Sequence, residues 1–438
     1  MTDVFGAAHG ASDAKSGAAE FDELESVVRI YCRRFGKIFS HARGAVVLDQ
    51  DGRRYIDFLC GAGALSYGHN DPHIKQAVVD YLQADGIIQS LDLHTSAKLS
   101  FLRALRDVIL RPRGLTYRVQ FCSPSGSDSV EAALKLARKA TGRHTVAAFT
   151  NAYHGVTLGS LAATDDARLR ASAGVPLESV LRLRFEADSV RDSDSLSVFE
   201  TKIADGPETA RPAAIIVETV QAEGGVNVAS RDWIRRLAEL AKRNKILLIV
   251  DDIQAGCGRT GTFFSFERAG IEPDIICLSK AIGGIGMPMA IVLIKPELDV
   301  WAPGDHVGTF RGNNLAFVAG AAALDYWRTP AFERELEVKS RRIRIELVRL
   351  LNQFPDHLKE VRGLGMIQGL VCASPVLADA ILDAAFARGL IVELAGRAND
   401  VVKLLPPLTI SETELEEGLS ILTLAVADAV HDACIGVP

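Results

Sequence analysis

LLIVDDIQAGCGRTGTFFSFERAGIEPDIICLSKAIGGIGMPMA, residues 247–290, holds two short apolar runs that end in charge. The first, Ile246–Val250, leads into Asp251 and Asp252. The second, Ile275–Leu278, leads into Ser279 and Lys280. Runs this short and apolar on both faces read as strands buried on both sides of a sheet. In open α/β sheets, ligands gather at the carboxyl ends of the strands. An acid and an amine 29 residues apart in sequence therefore meet at one ligand site. The plainer reading is a buried ion pair or two solvated strand ends. Glycines around Arg259 (Gly256, Gly258, Gly261) and after Lys280 (Gly283, Gly284, Gly286) favour the site, because they permit close backbone approach.

Outward from this segment the pattern repeats. Val119–Phe121, Thr145–Phe149, Ala214–Val217 and Ala290–Ile294 read as further strands. Helix-like stretches such as Asp128–Lys139 and Asp232–Asn244 lie between them. Strand and helix in alternation predict an α/β fold with a large domain around a mostly parallel sheet. The ends are less regular. Gly44–Leu59 reads as a hairpin turning at Asp51–Gly52. A long helix is expected over Ala331–Leu351, then strands near Gly369–Val371, Leu390–Glu393 and Val401–Leu404, then a last helix from Glu412. The expected division is a mobile tail at 1–20, one part of a smaller α+β domain at 21–65, the large domain at 66–325 and the rest of the small domain at 326–438.

The 438 residues carry 49 basic and 55 acidic side chains, with a formal net charge of −6. Nucleic acids and anionic membranes attract clustered positive charge, so neither is expected as a partner. Seven scattered cysteines, with no CxxC pair, read as reduced thiols of a cytoplasmic chain. No apolar run reaches membrane-spanning length, and the first twenty residues lack the apolar stretch of a signal peptide. No metal ligand is assigned. A nicotinamide site would need a GxGxxG turn early in a βαβ unit, and Gly283–Gly286 lacks that spacing.

Three more segments bear on chemistry. SPSGSDSVEAALKLARKATGR (Ser123–Arg143) is a turn running into a helix, where first-turn amides and the macrodipole favour a dianion. Gly126 and Ser127 are the candidate phosphate donors, although SDSVE would cap a helix in any case. TNAYHG places Tyr153 and His154 just after a strand; an aromatic there is equally a core residue. VETVQAEGGVNVAS (Val217–Ser230) carries Glu218 and Glu223.

These segments, in this order from about Arg33 to Leu422, resemble the class III (ω-) aminotransferases, a fold-type I pyridoxal-phosphate family. The resemblance implies pyridoxal 5′-phosphate bound to the Lys280 amine, with Asp251 beside the ring nitrogen. It places Gln254 on the ring's phenolic oxygen, Tyr153 on the ring face, and Gly126 and Ser127 on the phosphate. His154 has no assigned role, and Asp252 is structural. Thr309, within HVGTFRGNNLA, resembles the threonine that reaches the phosphate of a neighbouring subunit, which implies a homodimer with shared sites, with pairing into tetramers left open. Arg311 stands where a small residue is common. On the substrate side the family pairs the second acid, here Glu223, with a cation. That cation is Arg in ornithine-type members and Lys403 here, without the planar fork that grips a carboxylate at two points.

GAGALSYGHNDPHIKQAVVDYLQADGIIQSLDLHT (Gly61–Thr95), FTNAYHGVTLGSLAAT (Phe149–Thr164), GTFRGNN (Gly308–Asn314) and DVVKLLPPLT (Asp400–Thr409) resemble the branch that passes an ω-amino group between glutamate and a small semialdehyde to give a diamino acid. Gln89 departs from the histidine expected at its position, and FCSPSGSDS from a threonine-rich version. Ornithine- or 4-aminobutyrate-type substrates, and an aminomutase or decarboxylase on the same cofactor, stay open.

Overall fold

The computed structural model describes residues 14–188, 194–204 and 211–435. Its centre is a seven-stranded sheet. In chain order with three N-terminal strands, β1 (Phe39–Arg43), β2 (Val46–Asp49) and β3 (Arg54–Asp57), its members are β4 (Arg118–Phe121), β5 (Val146–Phe149), β6 (Val180–Leu183), β7 (Ala214–Val217), β10 (Leu247–Asp251), β11 (Ile275–Leu278) and β12 (Ile291–Ile294). Two short strands, β8 (Val220–Gln221) and β9 (Asn227–Val228), form a separate hairpin between β7 and β10. The spatial order is β4-β12-β11-β10-β7-β5-β6. All neighbours run parallel except β12, which is antiparallel to both β11 and β4. Every residue of β5, β7, β11 and β12 is buried, as expected of strands covered on both faces. β6 is absent from the sequence expectations. It is an edge strand whose apolar run is broken by Arg182, so it lacks the pattern of a buried strand.

Helices cover the sheet with their apolar stripes. The Gly126–Thr141 helix buries Val130, Ala133, Leu134 and Ala137, and its C-terminus stops at Gly142 in the left-handed region. The Arg231–Arg243 helix starts at Ser230, whose side chain accepts from Trp233 N, and seats Trp233 against Phe149 and Phe185.

The chain ends meet beside this layer. β2 and β3 form the expected hairpin, and Asp49 Oδ1 closes its turn by accepting from the amides of Asp51 and Arg53. The stretch expected as one strand at Leu390–Glu393 is two. β15 (Leu390–Ile391) pairs parallel with β3, whereas β16 (Glu393–Ala395) pairs antiparallel with β17 (Val401–Leu404). The chain changes sheets at buried Val392. β17 also pairs with β14 (Ile367–Cys372), which pairs with β13 (Leu358–Leu364). The long helix runs Ala331–Gln353 and the last Glu412–Ile435. The tail expectation at 1–20 falls outside the described residues up to 13, and Ala14–Leu24 is helical. Among the described residues no helix is long and apolar enough to cross a membrane. All seven cysteines are free.

Candidate active site

Five strands deliver their carboxyl ends to one place. The chain leaving β4 enters the helix at Gly126. The chain leaving β5 reaches Tyr153 and His154, and that leaving β7 reaches Glu218 and Glu223. β10 ends on Asp251, and Lys280 lies two residues past β11. Asp251 and Cys277 are register partners, so β10 and β11 finish level. Gly63 fits beside both candidates: a Cβ there would lie 3.6 Å from Gln254 Cγ and 3.8 Å from Lys280 Cδ.

Asp251 is buried and held by two groups. His154 Nδ1 lies 2.7 Å from its Oδ2, and Ile253 N donates to its Oδ1 at 3.2 Å. His154 is buried too, and its Nε2 has no hydrogen-bond partner among the described residues. Glu218 accepts from Tyr153 N at 2.9 Å. Burial, with the charge of Asp251 adding to it, pushes the Glu218 carboxyl well above its usual range. Asp252 points away, accepting from Ser265 N at 2.9 Å, and burial raises it to about 7. Two adjacent acids thus take different tasks because neighbouring side chains of a strand face opposite sides.

The second cluster centres on Lys403, whose side chain is 0% exposed. Its Nζ lies 2.7 Å from Glu223 Oε1, 2.9 Å from Glu393 Oε1 and 3.3 Å from Gln254 Oε1. Gln254 Nε2 in turn donates to Glu223 Oε1 and to Ala62 O. Burial lowers the Lys403 amine, but the two carboxylates outweigh it and the net shift is upward. Burial likewise raises Glu223, yet Lys403 and Lys280 hold it at about 2. Burial raises Glu393. Lys280 moves down: burial disfavours its ammonium form, Glu223 opposes and Lys403 adds to the shift. Burial, with the charges of Glu393 and Glu223 adding to it, raises the hydroxyl of Tyr31, a residue that is 47% exposed.

Of the other predicted residues, Tyr153 joins the first cluster through its amide on Glu218, and among the described residues no bond ties Gly126, Ser127 or Thr309 to either cluster. Gly126 and Ser127 open the helix after β4, N-cap Ser125 makes no side-chain cap bond, and with the Asp128 amide already on Ser125 O it is the amides of Gly126 and Ser127 that stay available to an anion. The Tyr153 side chain is partly exposed. Thr309 sits exposed in a turn over Thr309–Gly312, its carbonyl accepting from Gln89 Nε2 at 2.7 Å. Arg311 is tied to Asp92 and to the His306 carbonyl. Sequence reading missed three residues. His154 looked like a neighbour of the aromatic, and only the fold turns it onto Asp251. Tyr31 precedes every recognised motif. Glu393 did leave a signal: one acid inside the apolar run LIVELA marks a buried, paired charge.

This donor set fits pyridoxal phosphate. A half-buried lysine whose amine is shifted toward its neutral form, a fixed buried carboxylate and a helix start without a side-chain cap are what its aldehyde, ring nitrogen and phosphate require.

The family model for Aminotransferase class-III matches residues 33–426. A diaminobutyrate–2-oxoglutarate transaminase of Nocardia farcinica is 51% identical over 418 residues, covering 95% of this chain and 94% of that protein. One of Halalkalibacterium halodurans is 50% identical, covering 94% and 96%. Among solved structures, an ornithine aminotransferase of Toxoplasma gondii superposes with a TM-score of 0.84 at 25% identity, over 96% of this chain and 95% of that one. An N-acetylornithine aminotransferase of Stenotrophomonas maltophilia gives 0.74 at 26% identity, over 94% and 99%.

Proposed function

The chain belongs to the class III aminotransferases, and from that premise we propose that it transfers an amino group from glutamate to L-aspartate 4-semialdehyde, giving L-2,4-diaminobutyrate and 2-oxoglutarate. Two things support this substrate. Relatives near half identity over almost their whole length carry that activity in their names. The pocket holds Lys403 against Glu223 at 2.7 Å, where ornithine-type members use Arg. That ion pair is the observation that carries the reading. A buried cation covered by a carboxylate suits the half-reaction whose substrate brings an amine remote from its own carboxylate. Uncovered, it suits glutamate, whose α-carboxylate needs a positive partner.

The cofactor is pyridoxal 5′-phosphate, which when bound supplies an aldehyde for amine exchange and a ring that draws electrons from the substrate carbon. Lys280 would bond it. Burial shifts its amine toward the neutral form, the form able to attack a carbonyl and to carry a proton to and from the substrate carbon. Asp251 would face the ring nitrogen, and His154 orients that carboxylate and supplies one of its hydrogen bonds. Gly126 and Ser127 would hold the phosphate, Gln254 the phenolic oxygen and Tyr153 the ring face.

Thr309 would reach the phosphate of a second copy of the chain. Exposed apolar side chains beside Thr309 support a contact with such a copy. Ile87, Ile88, Leu91 and Leu93 lie on a segment bonded to the Thr309 turn, which itself exposes Val307 and Phe310. Apolar groups clustered in this way mark a contact surface.

The test is direct. Holoenzyme with glutamate and aspartate semialdehyde should form diaminobutyrate and 2-oxoglutarate in equal amounts, and Lys280→Ala should form neither. Conversion of diaminobutyrate to another product with no 2-oxo acid present to accept its amino group would replace this reading with a mutase or decarboxylase.

A further inference from the structure

We infer that Glu393 is the standing counter-ion of Lys403, a positioning residue that keeps this ammonium charged and in place while Glu223 leaves it for a substrate carboxylate. This rests on the proposed exchange of Glu223 for glutamate at one cation.

The two carboxylates on Lys403 are unequal. Glu393 sits on β16 directly across from Lys403 on β17, as its register partner. Its side chain is only 6% exposed, so it shares the rigidity of the sheet. Glu223 comes from the turn between β8 and β9, and its side chain is 30% exposed. It is the carboxylate with somewhere to go. On its other flank Lys403 pairs with Gly369 of β14, which offers no side chain, so no third charge comes from that strand. Among the described residues, Gln254 is the other group within hydrogen-bond reach and is neutral, and Lys280 lies near enough for the two amines to oppose each other's charge.

Consider the moment at which Glu223 has moved and the substrate carboxylate has not arrived. A fully buried ammonium with no anion is strongly disfavoured, enough to forbid the movement or drive off the proton. With Glu393 in place the pair Glu393–Lys403 is neutral throughout, and exchange of Glu223 for a substrate carboxylate replaces like with like. A single carboxylate would serve for masking alone. The second is explained by a cation that must be unmasked. The diaminobutyrate half-reaction keeps Glu223 on Lys403 and does not call on Glu393.

Glu393→Gln keeps shape and removes charge. With the holoenzyme, the single-turnover rate with glutamate should fall at least about tenfold, while that with diaminobutyrate stays within about threefold. Glutarate, an unreactive dicarboxylate, should bind at least about tenfold more weakly by calorimetry. In a Lys403→Met background, where no cation is left to support, Glu393→Gln should have no further effect on either rate. An equal fall in both half-reactions, or glutamate and glutarate unaffected, overturns the inference. If Glu393→Gln does not fold, Glu393→Asp carries the same comparison, with a smaller loss confined to the glutamate arm. If the wild type does not convert diaminobutyrate, the substrate reading fails by itself, and glutarate binding still decides the role of Glu393.

Discussion

Asp251 and Asp252 are adjacent acids with opposite surroundings. Asp251 touches His154, and the fold gives that histidine no other visible task. Its buried carboxylate should lose orientation when the imidazole is removed. His154→Phe is expected to weaken pyridoxal phosphate binding by roughly 10–100-fold, the worth of a hydrogen bond to a buried charge, as measured by equilibrium dialysis. Asp252 faces Ser265, and burial raises its carboxyl from 3.8 to about 7. The folded chain therefore holds that proton more firmly than the unfolded chain. Its contribution to stability is complete below 3.8 and is lost as pH rises through about 7. Asp252→Asn should abolish this loss. Melting temperatures of variant and wild type, compared from about pH 4 to about pH 8, should shift in favour of the variant toward the alkaline end. A constant difference would show that Asp252 does not titrate there.

At the scale of elements, the site is a set of loops pressed together by small residues. Gly155, at φ +119°, lets the His154 loop close on the start of the Gly126–Thr141 helix. A Cβ there would stand 2.1 Å from Ser127 Oγ and 2.8 Å from Ser160 Oγ. Gly155→Ala should cost about 1–3 kcal/mol in urea unfolding through backbone strain alone, and should weaken phosphate-dependent cofactor binding by displacing Ser127. Wild-type stability together with normal cofactor affinity would refute that placement. The strands that carry Asp251 and Lys280 were readable because a fully buried parallel strand leaves an unbroken apolar run. β6 and the split at Val392 were not. Edge pairing tolerates Arg182, and a change of sheet leaves no mark on side-chain pattern when both halves are buried.

For the whole molecule, the surface around Thr309 gathers large apolar side chains in solvent. Phe310 is 66% exposed and Val307 63%, beside Leu93 at 66%. Phe310→Asp should convert a dimer to monomers in sedimentation velocity. Activity should fall with it, because the phosphate site would lose Thr309 of the second copy. A variant that remains dimeric would place the interface elsewhere.

The sequence by itself determined the α/β class and the family, and it put Asp251 and Lys280 at the ends of two strands that prove to be neighbours. Each of these is written in local terms: apolar runs, glycine positions, and charged groups where strands stop. Tertiary structure alone decided which groups stand behind those residues. His154 reaches Asp251 from 97 residues away, and Glu223 reaches Lys403 across 180. Glu393 meets Lys403 only because β16 and β17 pair in one register and not another. Such contacts are set by how strands align in space, and the energy that selects the alignment comes from burial of the whole sheet. No short stretch of residues records it.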